Sequence, residues 1–360
     1  MFNLDKLTRD NIKNLVAYSS ARDEFSGEAK VFLDANENSL GSPLTKWYNR
    51  YPDPHQVAVK AVLSQVKGIG AEHILLGNGS DECIDLLFRC YCNPGKDNVI
   101  ICPPTYGMYE VSANINDVAI RKAPLLETFQ LDLIHLETLV DENTKLIWLC
   151  SPNNPTGNSL NRADIETVLN NFNGIVVVDE AYINFAKQKT FIQELNEYPN
   201  LVVLQTFSKA WGLAGLRLGM TFASEEIITI LNKTKPPYNI NQVTQELALK
   251  ALEEVSQVND MITELVAMRE ALAEVFLQMP TVEKVYPSDA NFLLVKIKDA
   301  RKVYEFLLTK GIVLRDRSSV KLCDDCLRIT VGTEKENTIL IDALAEWLVQ
   351  PVVASRVSNR

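Results

Sequence analysis

The chain has 360 residues, 46% of them apolar, which is enough to bury a large core as two domains or one large α/β unit. A formal net charge of -10 argues against nucleic acid as a partner, and no apolar run approaches membrane-spanning length. The amino terminus mixes charges and lacks the apolar stretch of a secretory signal, so a cytoplasmic protein is expected.

In chain order, the β-branched run Ile74–Leu76 predicts a strand. It is followed by Gly77-Asn-Gly79-Ser80-Asp81-Glu82 and the amphipathic segment Ile84–Tyr91. Glycines before a new helix permit close approach, and the free N–H groups of its first turn, with the helix dipole, make an anion site. Further strands are predicted at Asn98–Cys102, Lys145–Cys150, Ile175–Asp179 and Leu201–Phe207, alternating with helical stretches. That alternation predicts an α/β fold, a mostly parallel sheet between helices, whose ligands bind beyond the carboxyl ends of the strands. Pro236-Pro237 interrupts the pattern, and Gln242 to Met279 predicts one long amphipathic helix bridging two domains. Strand-like pieces at Glu283–Tyr286, Asn291–Ile297, Ile312–Arg315 and Leu327–Val331, with helices at Ala300–Lys310 and up to about Leu348, predict a smaller α+β domain. Pro351 to Arg360 reads as a frayed tail.

Chemistry gathers at the predicted strand ends. Lys209 follows a buried strand in Thr206-Phe-Ser208-Lys209, with Arg217 eight residues on. An amine there suits a cofactor aldehyde, and the Ser208 hydroxyl and Arg217 guanidinium suit its phosphate. Asp179 ends another strand, with Tyr182 three residues later, and Asn154 follows a third in Ser151-Pro-Asn-Asn154-Pro155-Thr-Gly157. Pyridoxal 5'-phosphate needs an acid to keep its ring nitrogen protonated, for which Asp179 is the candidate, and Tyr182 and Asn154 are placed to hydrogen-bond its phenolic oxygen. Each piece alone has a plainer reading, as loop lysine or turn; three strand ends delivering different parts of one site do not.

At these residues the chain resembles the fold-type I pyridoxal-phosphate-dependent transferases, and specifically the histidinol-phosphate aminotransferases. The likeness runs from Leu33-Asp-Ala-Asn36 through Tyr51-Pro-Asp and Pro103-Pro-Thr-Tyr106 to Leu314-Arg315-Asp and Leu327-Arg328-Ile-Thr-Val-Gly332. The resemblance implies a large cofactor-holding domain over residues 41–253 and a small domain from residues 1–40 and 254–360. It implies that Ser80 and Asp81 hold the cofactor phosphate through backbone N–H groups, that Tyr106 stacks on the pyridine, and that Tyr51 reaches the phosphate from the partner subunit of a homodimer. Lys209, Asp179 and Tyr182 are the expected catalytic residues. Arg328 and Arg315, backed by Asn36 and Tyr18, are expected to bind substrate, one arginine fork accepting either the phosphate of histidinol phosphate or a carboxylate of glutamate.

Rival readings share the cofactor residues: a threonine-phosphate decarboxylase, an aromatic aminotransferase, or a non-catalytic sensor module, which would need a basic DNA-binding domain ahead of it. A nicotinamide dehydrogenase lacks its glycine fingerprint, since Gly68-Ile-Gly70 has neither third glycine nor preceding strand. Seven cysteines, mostly inside apolar segments, read as reduced core thiols, and the single pair Cys323/Cys326 supplies too few ligands for a metal site. Three histidines offer little for a Ser/His/Asp triad.

Overall fold

The computed structural model describes residues 2–19, 30–44, 46 and 48–349. The predicted tail, 351–360, lies outside them.

Seven strands form the larger sheet: β1 (Ile74–Asn78), β2 (Asn98–Ile101), β3 (Ala119–Lys122), β4 (Thr144–Cys150), β5 (Ile175–Asp179), β6 (Leu201–Thr206) and β7 (Leu218–Ala223). Their order is β1-β7-β6-β5-β4-β2-β3. The five strands from β6 to β3 pair in parallel, and β7 runs antiparallel to both β6 and β1. Helices cover both faces, so the central strands read as continuous apolar runs rather than alternating ones. Their side chains nonetheless divide with period two. Ile147, Leu149, Val176, Val178 and Val203 enter one core, and Leu146, Trp148, Ile175, Val177, Val202 and Leu204 enter the other.

The register sets the active end of the sheet. Cys150 pairs with Asp179 and Asp179 with Leu204, so β4, β5 and β6 end side by side. The loops that follow them therefore open onto one place. Gly77 pairs with Gly219 across β1 and β7, bringing the turn before the helix Ser80–Tyr91 to the same edge. A Cβ at Gly219 would lie 2.3 Å from the Ser80 nitrogen and 2.4 Å from the Gly79 carbonyl carbon, which only glycine permits.

A second, antiparallel sheet comprises β8 (Val282–Val285), β9 (Phe292–Ile297), β10 (Arg315–Asp316) and β11 (Cys326–Thr330), ordered β10-β11-β9-β8. It packs against helices Ala300–Thr309 and Glu334–Val349 around Leu293, Val295, Val303, Leu307, Leu327 and Ile329. Among the described residues no helix is long and apolar enough to cross a membrane.

Two expectations need correction. The stretch from Gln242 is not one helix but two, Gln242–Leu252 and Val255–Leu277, separated at Glu253 and Glu254. Leu252 and Val258 both enter the larger core. Six residues apart on an unbroken helix, they would point about 120° away from each other, so the chain breaks to bury both. The second helix then runs on to bury Leu272 and Phe276 under the smaller sheet. Strands β3 and β7 were not predicted. The first is a partly exposed edge carrying Arg121 and Lys122, and the second contains Gly219. Neither shows the β-branched run of the central strands.

Gly219→Ala should push the Gly79–Ser80 backbone away and destabilise the fold by about 1–3 kcal/mol. Denaturant unfolding of the cofactor-free protein measures this, and unchanged stability would show that the contact is not tight in solution.

Candidate active site

A cavity of about 670 Å³ opens at the carboxyl ends of β4, β5 and β6. Eleven of the residues singled out in the sequence line it: Ser80, Asp81, Tyr106, Asn154, Asp179, Tyr182, Ser208, Lys209, Arg217, Arg315 and Arg328. The first nine come from strand ends, loops and the helix start at Ser80 and Asp81 around the larger sheet, and the two arginines from β10 and β11 of the smaller one.

Two adjacent acids at the end of β5 show what the cavity lacks. Glu180 is 1% exposed and saturated by the protein. It accepts from Phe191 N at 2.7 Å and Gln205 Nε2 at 2.9 Å, and Gln205 Oε1 accepts from Lys67 Nζ at 2.7 Å. Asp179, 3% exposed, faces the cavity and accepts from Tyr109 Oη at 2.5 Å and Ala181 N at 3.1 Å. Burial raises its pKa, which those two hydrogen bonds and the Lys209 ammonium only oppose. A carboxylate so placed is completed by a cationic N–H donor from a ligand.

Tyr109 was missed in the sequence. It lies in the first turn of the helix Met108–Ile115, stacks on Trp148 at 4.8 Å and meets Tyr106 edge-on at 5.6 Å. It ends the run Pro103-Pro-Thr-Tyr106-Gly-Met-Tyr109 that carries the resemblance, without a role assigned there, and its hydrogen bond to Asp179 spans 70 residues.

The other end of the cavity is built for an anion. The helix Ser80–Tyr91 begins without a side-chain cap, leaving its first N–H groups to a ligand. Arg217 holds a left-handed backbone, φ 52°, and its guanidinium lies where a Cβ of Gly79 would be 2.6 Å away. It donates to Asp81 Oδ2 at 3.2 Å, and Tyr106 Oη donates to Asp81 Oδ1 at 3.0 Å. Ser208 and Lys209 stand between the two ends. Burial lowers the pKa of Lys209, and the Arg328 and Arg217 guanidiniums lower it further against the pull of Asp179 and Asp81.

Arg328 lies directly opposite Arg315 in the β10–β11 ladder and donates to Asn154 Oδ1 at 2.6 Å. Its guanidinium stands 5.3 Å from the Phe292 ring centroid, and Phe292 meets Tyr182 edge-on at 5.2 Å. Arg317, absent from the sequence-based set, lines the same cavity.

This donor set fits pyridoxal 5'-phosphate. An uncompensated carboxylate suits its ring N–H, an uncapped helix start with Ser208 and Arg217 suits its phosphate, and a lysine with a lowered pKa suits its aldehyde. Three expected residues are not in the cavity. Tyr51 and Asn36 line a separate hollow of about 610 Å³, where Tyr51 stacks on Tyr238 at 4.5 Å. Tyr18 is 72% exposed and outside both linings.

Residues 30–344 match the family model described as aminotransferase class I and II. A histidinol-phosphate aminotransferase of Cytophaga hutchinsonii is 56% identical, over 96% of this chain and 99% of the relative. Among solved structures, the histidinol-phosphate aminotransferase of Sinorhizobium meliloti, in complex with pyridoxal-5'-phosphate, superposes with a TM-score of 0.76 at 24% identity, covering 82% of each chain. The L-threonine-O-3-phosphate decarboxylase of Porphyromonas gingivalis does so with a TM-score of 0.72 at 24% identity, covering 84% of this chain and 92% of that one. At that identity the two structures establish the fold.

The raised pKa of Asp179 gives a test of the site without catalysis. Between the unfolded carboxyl's pKa and the higher folded one, the folded state binds more protons, so its stability falls as pH rises through that window. Asp179→Asn should therefore raise the melting temperature of the cofactor-free protein at pH 8, show a smaller gain near pH 4, and weaken cofactor binding. A melting temperature lowered equally at both pH values would mean that the carboxylate is already compensated within the fold.

Proposed function

We propose, for a chain that belongs to the class I and II aminotransferases and within them to the histidinol-phosphate aminotransferases, that it transfers the amino group between histidinol phosphate and 2-oxoglutarate in histidine biosynthesis. The arrangement that most supports this reading is a pair of arginines, Arg315 and Arg328, facing a cavity that also holds Lys209 and Asp179. Histidinol phosphate has no carboxylate, so its phosphate and the glutamate carboxylate can share one arginine site in alternate half-reactions.

Pyridoxal 5'-phosphate, when bound, supplies an aldehyde to take up the amino group and a cationic ring that withdraws electrons from the substrate carbon. The Asp179 carboxylate holds the proton on the ring nitrogen, and Tyr109 orients that carboxylate. Backbone N–H groups of Ser80 and Asp81, with Ser208 and Arg217, would hold the phosphate, Asn154 and Tyr182 would meet the phenolic oxygen, and Tyr106 would pack on the ring. Lys209 Nζ is the group that would take the proton from the substrate carbon as general base. The lowered pKa of that lysine favours the neutral amine the step requires. Arg328 orients the substrate anion and, through its hydrogen bond, Asn154 as well.

The reading extends to a cytoplasmic homodimer in which Tyr51 completes the phosphate site of the partner subunit, with residues 41–253 as the cofactor-holding unit and residues 1–40 and 254–360 as the small domain. In support, all seven cysteines are free and buried, and Tyr51 is half-exposed and lines a separate hollow rather than its own chain's cavity. Asn36 and Tyr18 belong to the same reading as substrate contacts, although neither lines this chain's own cavity.

Arg328→Lys keeps the charge and loses the fork, so single-turnover rates with histidinol phosphate and with glutamate should fall together, by the ~1.5–3 kcal/mol of a charged hydrogen bond. A loss with glutamate alone would remove the shared-site reading, and release of carbon dioxide from threonine phosphate in place of amine transfer would replace it with the decarboxylase. For the dimer, Tyr51→Phe and Lys209→Ala chains, each defective alone, should regain activity when mixed, because one of the two sites in a mixed dimer then carries neither lesion. Subunit exchange without recovery would put Tyr51 outside the partner's site.

A further inference from the structure

Arg317 lines the same cavity as Arg315 and Arg328, and no role falls to it in the amine transfer described above. Its backbone N–H donates to the Cys326 carbonyl at 2.9 Å, extending the β10–β11 ladder by one residue. Two positions from Arg315, it belongs to the same face of the strand. Asp316, on the other face, pairs with Arg301 at 3.0 Å and makes no ion pair with either neighbour, though its charge still acts on Arg317.

Three guanidiniums thus converge on one wall. Arg315 and Arg328 are direct cross-strand partners, a position in which like charges repel. Arg317 and Arg328 are each held below the usual arginine range, first by burial and then in part by the other arginines of the group. Among the described residues the ion pair inside the cavity joins Arg217 to Asp81, and none of the three has a carboxylate within ion-pair distance. The Nε atoms of Arg317 and Arg328 are buried without a hydrogen-bond partner. A wall with three cations is matched by an anion with more charge and more acceptors than a carboxylate has. A carboxylate brings one charge and two oxygens; a phosphate monoester near neutral pH brings close to two charges and three terminal oxygens.

We propose that Arg317 is a specificity-determining residue, a third guanidinium that engages the additional oxygen and charge of a phosphate monoester and so favours the phosphate-bearing amino donor over glutamate. This rests on the donor proposed above, and it separates Arg317 from the two arginines that serve both donors.

The holoenzyme variants Arg317→Gln and Arg317→Lys test it. In Arg317→Gln, kcat/KM for the histidinol phosphate half-reaction should fall about 10- to 100-fold, the loss expected for one charged hydrogen bond, while that for glutamate changes less than about threefold. Arg317→Lys should recover part of the loss, since charge returns without the fork. Inorganic phosphate, as a competitor of glutamate, gives a second readout that does not depend on the donor's identity. Its inhibition constant should rise by a similar factor in Arg317→Gln. Equal losses with both donors would reduce Arg317 to a structural residue, and an unchanged inhibition constant would overturn the proposal. If the wild-type enzyme does not accept histidinol phosphate, the donor reading fails, and the phosphate inhibition constants still decide the role of Arg317.

Discussion

A buried carboxylate without an ion-pair partner among the described residues, Asp179 at the end of β5, is the constraint on which the site depends. Burial of an unpaired charge is costly, and the protein leaves it only where a ligand is to supply the partner. Its neighbour Glu180, equally buried and likewise raised in pKa by burial, shows the alternative: two side chains, Thr190 and Gln205, and the Phe191 N–H donate to it from within the fold, with Lys67 behind Gln205. The difference lies in direction. Successive residues of a strand point to opposite faces, so Glu180 enters the protein's own polar network and Asp179 enters the cavity. A shift of one residue in β5 would exchange them, and the packing of Val176, Val177 and Val178 into two separate cores fixes the register against that.

Charge in the cavity is distributed between the two sheets. The larger sheet provides the acid, the amine and an anion cradle whose one arginine is already paired with Asp81. The smaller sheet provides cations with no carboxylate partner in the cavity. Lys209 sits between, and its proton affinity is set by both: burial and the arginines lower it, while Asp179 and Asp81 raise it. A substrate anion on the arginines therefore relieves part of the field that lowers the proton affinity of Lys209. Binding of substrate and readiness of the base are linked electrostatically, and the smaller sheet is the side on which that linkage is adjusted.

Much of the site was legible because strand ends can be read from composition. Lys209, Asp179 and Asn154 each follow an apolar run that fits a buried parallel strand, and such sheets place ligands at their carboxyl ends. Arg315 and Arg328 entered through a resemblance, since an arginine beside a short strand has no local signature that separates it from a surface residue. Tyr109 and Arg317 escaped for a similar reason. Their importance lies in a phenol reaching a carboxylate 70 residues away and in a ladder that aligns three guanidiniums, and neither is a property of neighbouring residues in the chain. The broken helix at Glu253 and Glu254 escaped because apolar periodicity shows which residues seek burial and not that two of them must reach the same core.

The sequence by itself determined the α/β class, five of the seven strands of the larger sheet and the identity of the groups that meet at their ends, because these follow from local propensity and from runs too apolar to face water. Tertiary structure alone decided which acid of the Asp179–Glu180 pair faces the cavity, that Gly219 must lack a side chain, and that Arg317 stands with Arg315 and Arg328. Those facts depend on strand register and on contacts between distant segments, where a displacement of one residue reverses the outcome and nothing local records it.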